Sequence, residues 1–171
     1  MSAPSIELDG LESHQRDRKL AKDQGRNRLI VEEAARLVMQ GRQTLVLVKL
    51  VSHAHALAEA MAQRNISAES LVGAVSPTNR RLILGKLQTG AVQVVVATSL
   101  ADEGLDIPSL DAVVLAAPTG NMSRIEQRVG RALRPHPDGQ TPVIVDVVDS
   151  WGPFQGYARR RGRFYDAKGW R

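Results

Sequence analysis

Arg128, Arg131 and Arg134 stand at offsets of three in the segment QRVGRALR. Residues three apart share one face of a helix, so three guanidiniums can point into the same space. Like charges at that spacing repel and add nothing to a fold by themselves. The chemistry open to them is holding an anion, and the plain alternative is a solvated basic helix face. Gly130 lets another backbone come close, and Pro135 ends the helix.

A second set lies upstream in ATSLADEGLDIP, residues 97–108. Thr98 and Ser99 put hydroxyls where an apolar run ends and a helix can begin. Hydroxyls and free backbone N–H groups at such a place suit a phosphate. Gly104 permits a tight turn, and Asp106 offers an acceptor for sugar hydroxyls. Each of these alone is ordinary loop chemistry; their combination carries the weight. Lys49 and Ser52 occupy the corresponding place after another apolar run, with Ser52 read as a helix cap. His53 and His55 open that helix and read as surface residues rather than ligands.

The elements that must position these groups follow from pattern. TLVLVKL (44–50), the shorter 71–75, AVQVVVAT (91–98), DAVVLA (111–116) and PVIVDVV (142–148) are apolar runs of strand length. Strands apolar on both faces belong in a buried parallel sheet. Between them, helices are expected over 26–40, with Ile30, Ala34 and Leu37 recurring, and from Ser52 to about 64, with Ala54, Leu57, Ala58 and Met61 on one face. A further helix is capped by Ser76-Pro77 and carries Leu82, Ile83 and Leu87; another spans 121–133. Alternating strands and helices predict an α/β fold: three layers, a mainly parallel sheet of five to six strands, helices on both faces. In such sheets ligands bind at the carboxyl ends of the strands, where the loops above lie.

Composition bounds the rest. Hydrophobic content of 43% and charged content of 24% are a globular balance for a 171-residue chain. No cysteine is present, which excludes disulfides, thiolate metal sites and cysteine nucleophiles and fits a reducing compartment such as the cytoplasm. No apolar run is long enough to span a membrane, and residues 1–25 hold no secretory h-region. Those residues read as a polar linker or disordered lead-in, with the domain proper at 26–150. In 151–171, six basic groups face one acid, Asp166, and supply the whole formal excess of +5. All six aromatics of the chain lie there too. Arginine with aromatics suits phosphates and unstacked bases, which points to Arg159, Arg160 and Arg161; an amphipathic helix docking on the domain is compatible with that. Gly152, Gly156 and Gly162 weaken such a helix.

ATSLADEGLDIP, with QRVGRALR opening 21 positions after Asp106, resembles motifs V and VI of superfamily 2 helicases and translocases. TLVLVKL and its helix resemble motif IV, and the resemblance covers about residues 26–150. The glutamine opening motif VI, the DEGLDIP wording and the Arg-Pro ending resemble the DNA repair, phage and type III restriction branch. In the DEAD-box RNA branch a histidine usually opens that motif. The resemblance implies the second, C-terminal RecA-like domain of an ATP-dependent motor. Arg131 and Arg134 would be its arginine fingers, reaching the γ-phosphate of ATP held on a partner domain. Arg128 would make structural contacts around the cleft, Gln127 would sense the nucleotide, Asp106 would hold the ribose and Gly104 would shape its loop. Thr98, Ser99, Lys49 and Ser52 would lie along the nucleic-acid backbone, with DNA favoured over RNA.

The sequence has no G-x-x-x-x-G-K-[ST] segment and no D-E-x-[DH] segment; Asp102-Glu103 belongs to the motif V resemblance instead. ATP and Mg²⁺ would therefore be held mainly by an N-terminal RecA-like domain, in the same chain or a separate one, and this chain alone is expected to be inactive. The alternatives are a free-standing RecA-like module that binds nucleic acid or a partner without its own ATPase activity, and an unrelated α/β nucleotide-binding domain.

Overall fold

The computed structural model describes residues 1–3, 6–98, 110–119, 121, 123 and 141–169. The elements are α1 (Ser13–Lys22), α2 (Gln24–Met39), β1 (Thr44–Val48), α3 (Val51–Ala62), β2 (Ala68–Leu71), α4 (Pro77–Gln88), β3 (Val94–Thr98), β4 (Ala112–Leu115), β5 (Val143–Asp146) and α5 (Gly152–Lys168). Among the described residues the sheet has five strands in the order β2-β3-β1-β4-β5, all parallel. This is the three-layer RecA-like α/β architecture.

Strand period two divides the sheet's side chains between two cores. Val46, Val48, Val94, Val96, Ala112 and Val114 pack on α2 and α3 through Ile30, Ala34, Leu37, Ala54, Leu57 and Met61. Their neighbours in sequence, Leu45, Leu47, Val95, Ala97, Val113 and Leu115, pack on the opposite face with Ile83 and Leu87 of α4 and Tyr165 of α5. Burial on both faces is why β1, β3 and β4 read as continuous apolar runs.

Several expectations shift. β2 occupies 68–71 rather than 71–75, because it is an edge strand, only partly buried until Leu71. Leu82 is 58% exposed, since the i, i+4 pair Ile83 and Leu87 takes the core face of α4. Ser76 caps α4 as expected, accepting from the Asn79 N–H at 3.3 Å. Ser52 caps nothing: α3 starts at Val51 after Leu50, and Ser52 lies inside the first turn.

The two ends of the chain depart most from the reading of linker and tail. The described residues before 26 are built around α1: Ala3 donates its N–H to the Val148 carbonyl, and Ser2 bridges Val148 in parallel beyond β5. Leu8 and Leu20 are buried against Phe154 of α5 in a small third core. A disordered lead-in would leave those leucines in water. α5 is one 17-residue helix despite its glycines, and Phe154, Arg161 and Tyr165 form its buried face. Among the described residues no helix is long and apolar enough to cross a membrane.

Candidate nucleic-acid interface

The carboxyl edge of the sheet is built around two buried arginines. Arg26, at the start of α2, is 1% exposed. Its Nε donates to Asp149 Oδ1 at 2.6 Å, and its Nη2 donates to Asp149 Oδ2 at 3.2 Å and to the Ala116 carbonyl at 2.8 Å. Arg161 of α5 is equally buried; its Nε donates to Asp146 Oδ2 at 2.7 Å and its Nη1 to the Thr119 carbonyl at 2.7 Å. A buried charge is tolerated only when paired and hydrogen-bonded, and each guanidinium here has a carboxylate and a carbonyl. Between them they clamp the chain leaving β4, residues 116–119, from both sides. The Tyr165 hydroxyl also donates to Asp146 Oδ2, at 3.3 Å; burial, then the Asp146 charge, pushes this phenol's pKa up.

Above this floor lies a cleft of about 530 Å³ between α1, α5 and the carboxyl ends of β1 and β4. Ser13, Arg16 and Asp17 line it from α1, Lys49 from the end of β1, Thr119 and Asn121 from beyond β4, and Tyr157 and Arg160 from α5. Lys49 pairs with Asp17. The Arg16 guanidinium stacks over the Trp151 ring, 4.6 Å from its centroid, and its Nε is buried without a hydrogen-bond partner among the described residues. Trp151 is itself fixed by donating to Asp9 Oδ1 at 2.9 Å. Three cations against one carboxylate make the cleft electropositive, and aromatic rings form part of its wall.

The sequence-derived candidates distribute unevenly. Thr98 ends β3 opposite Val48 in the β1 ladder, so it adjoins the strand that delivers Lys49. It is buried, with its hydroxyl unpartnered among the described residues. Ser52 is exposed in the first turn of α3. Arg159 and Arg160 are exposed on α5, and Arg160 lines the same cleft as Lys49. Arg161 is a correction: it holds Asp146 and Thr119, not solvent. Consecutive helix residues turn about 100° each, and Arg161 falls on the face of Phe154 and Tyr165, seven residues on from one and four before the other. Ser99, Gly104, Asp106, Gln127, Arg128, Arg131 and Arg134 lie outside the described residues.

His53 is a second correction. It is 5% exposed, not on the surface, and its Nε2 lies 2.8 Å from Asn27 Oδ1. Burial, and then the nearby Arg26 charge, lower its pKa to about 4, so the ring is neutral at pH 7. His55 pairs with Ser70 Oγ at 2.7 Å. Sequence reasoning missed Arg16, Asp17 and Arg26. Arg26 is 123 positions from Asp149, and no local pattern announces that pairing.

Comparison with known proteins agrees with this fold. Residues 8–136 match the family described as helicase conserved C-terminal domain. Putative helicase 22 of Sulfolobus islandicus filamentous virus is 36% identical over 104 residues, 61% of this chain and 19% of that protein. The ATP-dependent rRNA helicase rrp3 of Schizosaccharomyces pombe is 33% identical over 112 residues, 65% of this chain and 24% of that protein. The chain thus spans about a fifth to a quarter of the length of these relatives. In fold it is similar to T4 UvsW, with a TM-score of 0.76 at 20% identity, over 94% of this chain and 36% of that one. A match over most of the length, on a parallel five-stranded sheet of the same RecA-like fold, means that the chain belongs to the helicase conserved C-terminal domain family.

Proposed function

We propose that this chain is the C-terminal motor domain of an ATP-dependent nucleic-acid helicase or translocase. It supplies Arg131 and Arg134 to ATP bound on an N-terminal RecA-like domain, of the same chain or a separate one, and touches the nucleic-acid backbone along its own carboxyl edge. The observation that carries this reading is the family match over residues 8–136, which takes in the segment QRVGRALR.

The distribution of donors supports a divided site. With no phosphate-cradling loop in the sequence, ATP and Mg²⁺ fall mainly to the other domain. When bound, ATP supplies the phosphoanhydride whose cleavage drives domain motion. Arg131 and Arg134 neutralise charge developing on its γ-phosphate, Asp106 holds the ribose with Gly104 shaping that loop, and Gln127 and Arg128 line the cleft. Lys49, Ser52, Thr98, Ser99, Arg159 and Arg160 serve the strand. Arg161 positions the β4 exit instead. The motif wording favours DNA and the repair and phage branch; relatives such as the rRNA helicase rrp3 keep RNA in the comparison.

The test is nucleic-acid-stimulated ATP turnover. The 171-residue chain alone should show none. In the intact motor, Arg131→Ala and Arg134→Ala should each lower kcat by about 10³-fold or more while retaining strand affinity. Parallel losses of turnover and binding, or robust turnover by the chain alone, would contradict the assignment. Competing oligodeoxynucleotide against oligoribonucleotide of the same sequence measures the DNA preference.

A further inference from the structure

We infer that α1 forms one wall of a strand-binding cleft, in which Arg16, Lys49 and Arg160 hold phosphates of a single-stranded nucleic acid and Asp17 is their internal competitor. This rests on the reading of the chain as a nucleic-acid motor domain and adds to it the wall from α1, with Arg16 and Asp17, beside Lys49 and Arg160.

Four observations converge. First, the cleft gathers cations from three separate elements, α1, the end of β1 and α5, around one open volume of about 530 Å³. That volume lies in the usual range of ligand clefts, about 300–1,000 Å³. Second, Arg16 is prepared for an acceptor it does not have. Trp151 holds its guanidinium by stacking at 4.6 Å, yet its Nε, buried from water, donates to nothing among the described residues. A guanidinium fixed in plane with an unused edge is a natural partner for a phosphate oxygen. Third, Tyr157 lines the same cleft and is only half-buried, which provides a ring for base stacking beside the phosphates. Fourth, Lys49 is more than half exposed along its side chain, yet it is already paired with the Asp17 carboxylate. A carboxylate at that place occupies the cation as a phosphate would. A strand entering the cleft exchanges one anion for another at Lys49, so Asp17 sets a threshold for binding.

The exchange has a signature in salt dependence. Each phosphate neutralised on a single strand contributes about 0.7 to the slope of log K against log salt. The experiment is fluorescence anisotropy of labelled oligothymidylate and oligouridylate with the full chain, across a salt series. Asp17→Asn should bind more tightly than wild type, with a slope steeper by about 0.7, because Lys49 is released to the strand. Arg16→Gln and Arg160→Gln should each bind more weakly, with a slope shallower by about 0.7. Tyr157→Leu should weaken binding with the slope unchanged. Asp17→Asn is read with a thermal melt matching wild type, and it stays decisive if Arg16→Gln proves unstable in the same melt. If wild type binds and Asp17→Asn and Arg16→Gln match it in affinity and slope, the cleft assignment is overturned while the motor reading stands. If wild type binds neither oligonucleotide, the cleft assignment is likewise overturned, and the motor reading is decided by the turnover of the intact motor.

Discussion

Arg26, Arg161 and His53 are polar side chains inside the molecule, and each is tolerated for a stated reason. The two guanidiniums are paired with carboxylates and carbonyls. His53 avoids the problem by staying uncharged. Its pKa is about 4, against 6.5 for an exposed imidazole, so between those values the unfolded chain takes up a proton that the folded chain refuses. Stability from this residue is therefore fully present above pH 6.5 and is lost as pH falls towards 4, to a total of about 3 kcal/mol. Gln in its place keeps a donor for Asn27 and cannot titrate. In urea unfolding, His53→Gln should remove about 2 kcal/mol of the decline between pH 7 and pH 4.5. An unchanged decline would mean that the ring is protonated in the folded state.

α5 shows how an element can be continuous against its own propensities. Gly156 lies within it, at a cost of about 1 kcal/mol relative to alanine, and Gly85 imposes the same cost within α4. Burial of Phe154, Arg161 and Tyr165 outweighs that cost in α5. A Cβ at Gly85 or Gly156 would meet nothing within 4 Å, and neither residue has a positive φ. Gly85→Ala and Gly156→Ala should therefore each raise stability by about 0.5–1 kcal/mol, read as a higher urea midpoint with an unchanged m-value. A loss at Gly156 would point to a close neighbour on that face. For the same reason, Arg159 and Arg160 are better tested by substitution than by removing α5, which would uncover Leu8 and Leu20 and leave Asp146 without Arg161.

At the scale of the whole molecule, the first and last segments close on each other. Ser2 bridges Val148, Trp151 donates to Asp9, and Leu8, Leu20 and Phe154 share a core. Leu20→Ala and Phe154→Ala should each cost about 2–5 kcal/mol, and together less than their sum, because each already empties part of the same cluster. Strict additivity in a double-mutant cycle would show that the two ends pack independently. The closure also places α1 against α5 over the carboxyl ends of β1 and β4, where neither segment alone would make a cleft.

Some of this was written in short stretches of sequence. β1, β3 and β4 are legible because a strand covered on both faces must be apolar at every position. α2 and α3 are legible because one face of each repeats at helical spacing. The family could be read from ATSLADEGLDIP and QRVGRALR, since its motifs are local. The edge strand β2 was misplaced because its exposed residues carry no such pattern, and α1 because its single buried leucine, Leu20, makes no periodic stripe. Tertiary structure alone decided the strand order, the burial of Arg161 and His53, and the pairing of Arg26 with Asp149. It also decided that Arg16, Lys49 and Arg160 share one volume. Hydrophobic pattern is a property of neighbours in sequence, whereas the partner of a buried charge, or the company of an exposed one, is set by which distant segments the packed sheet brings together.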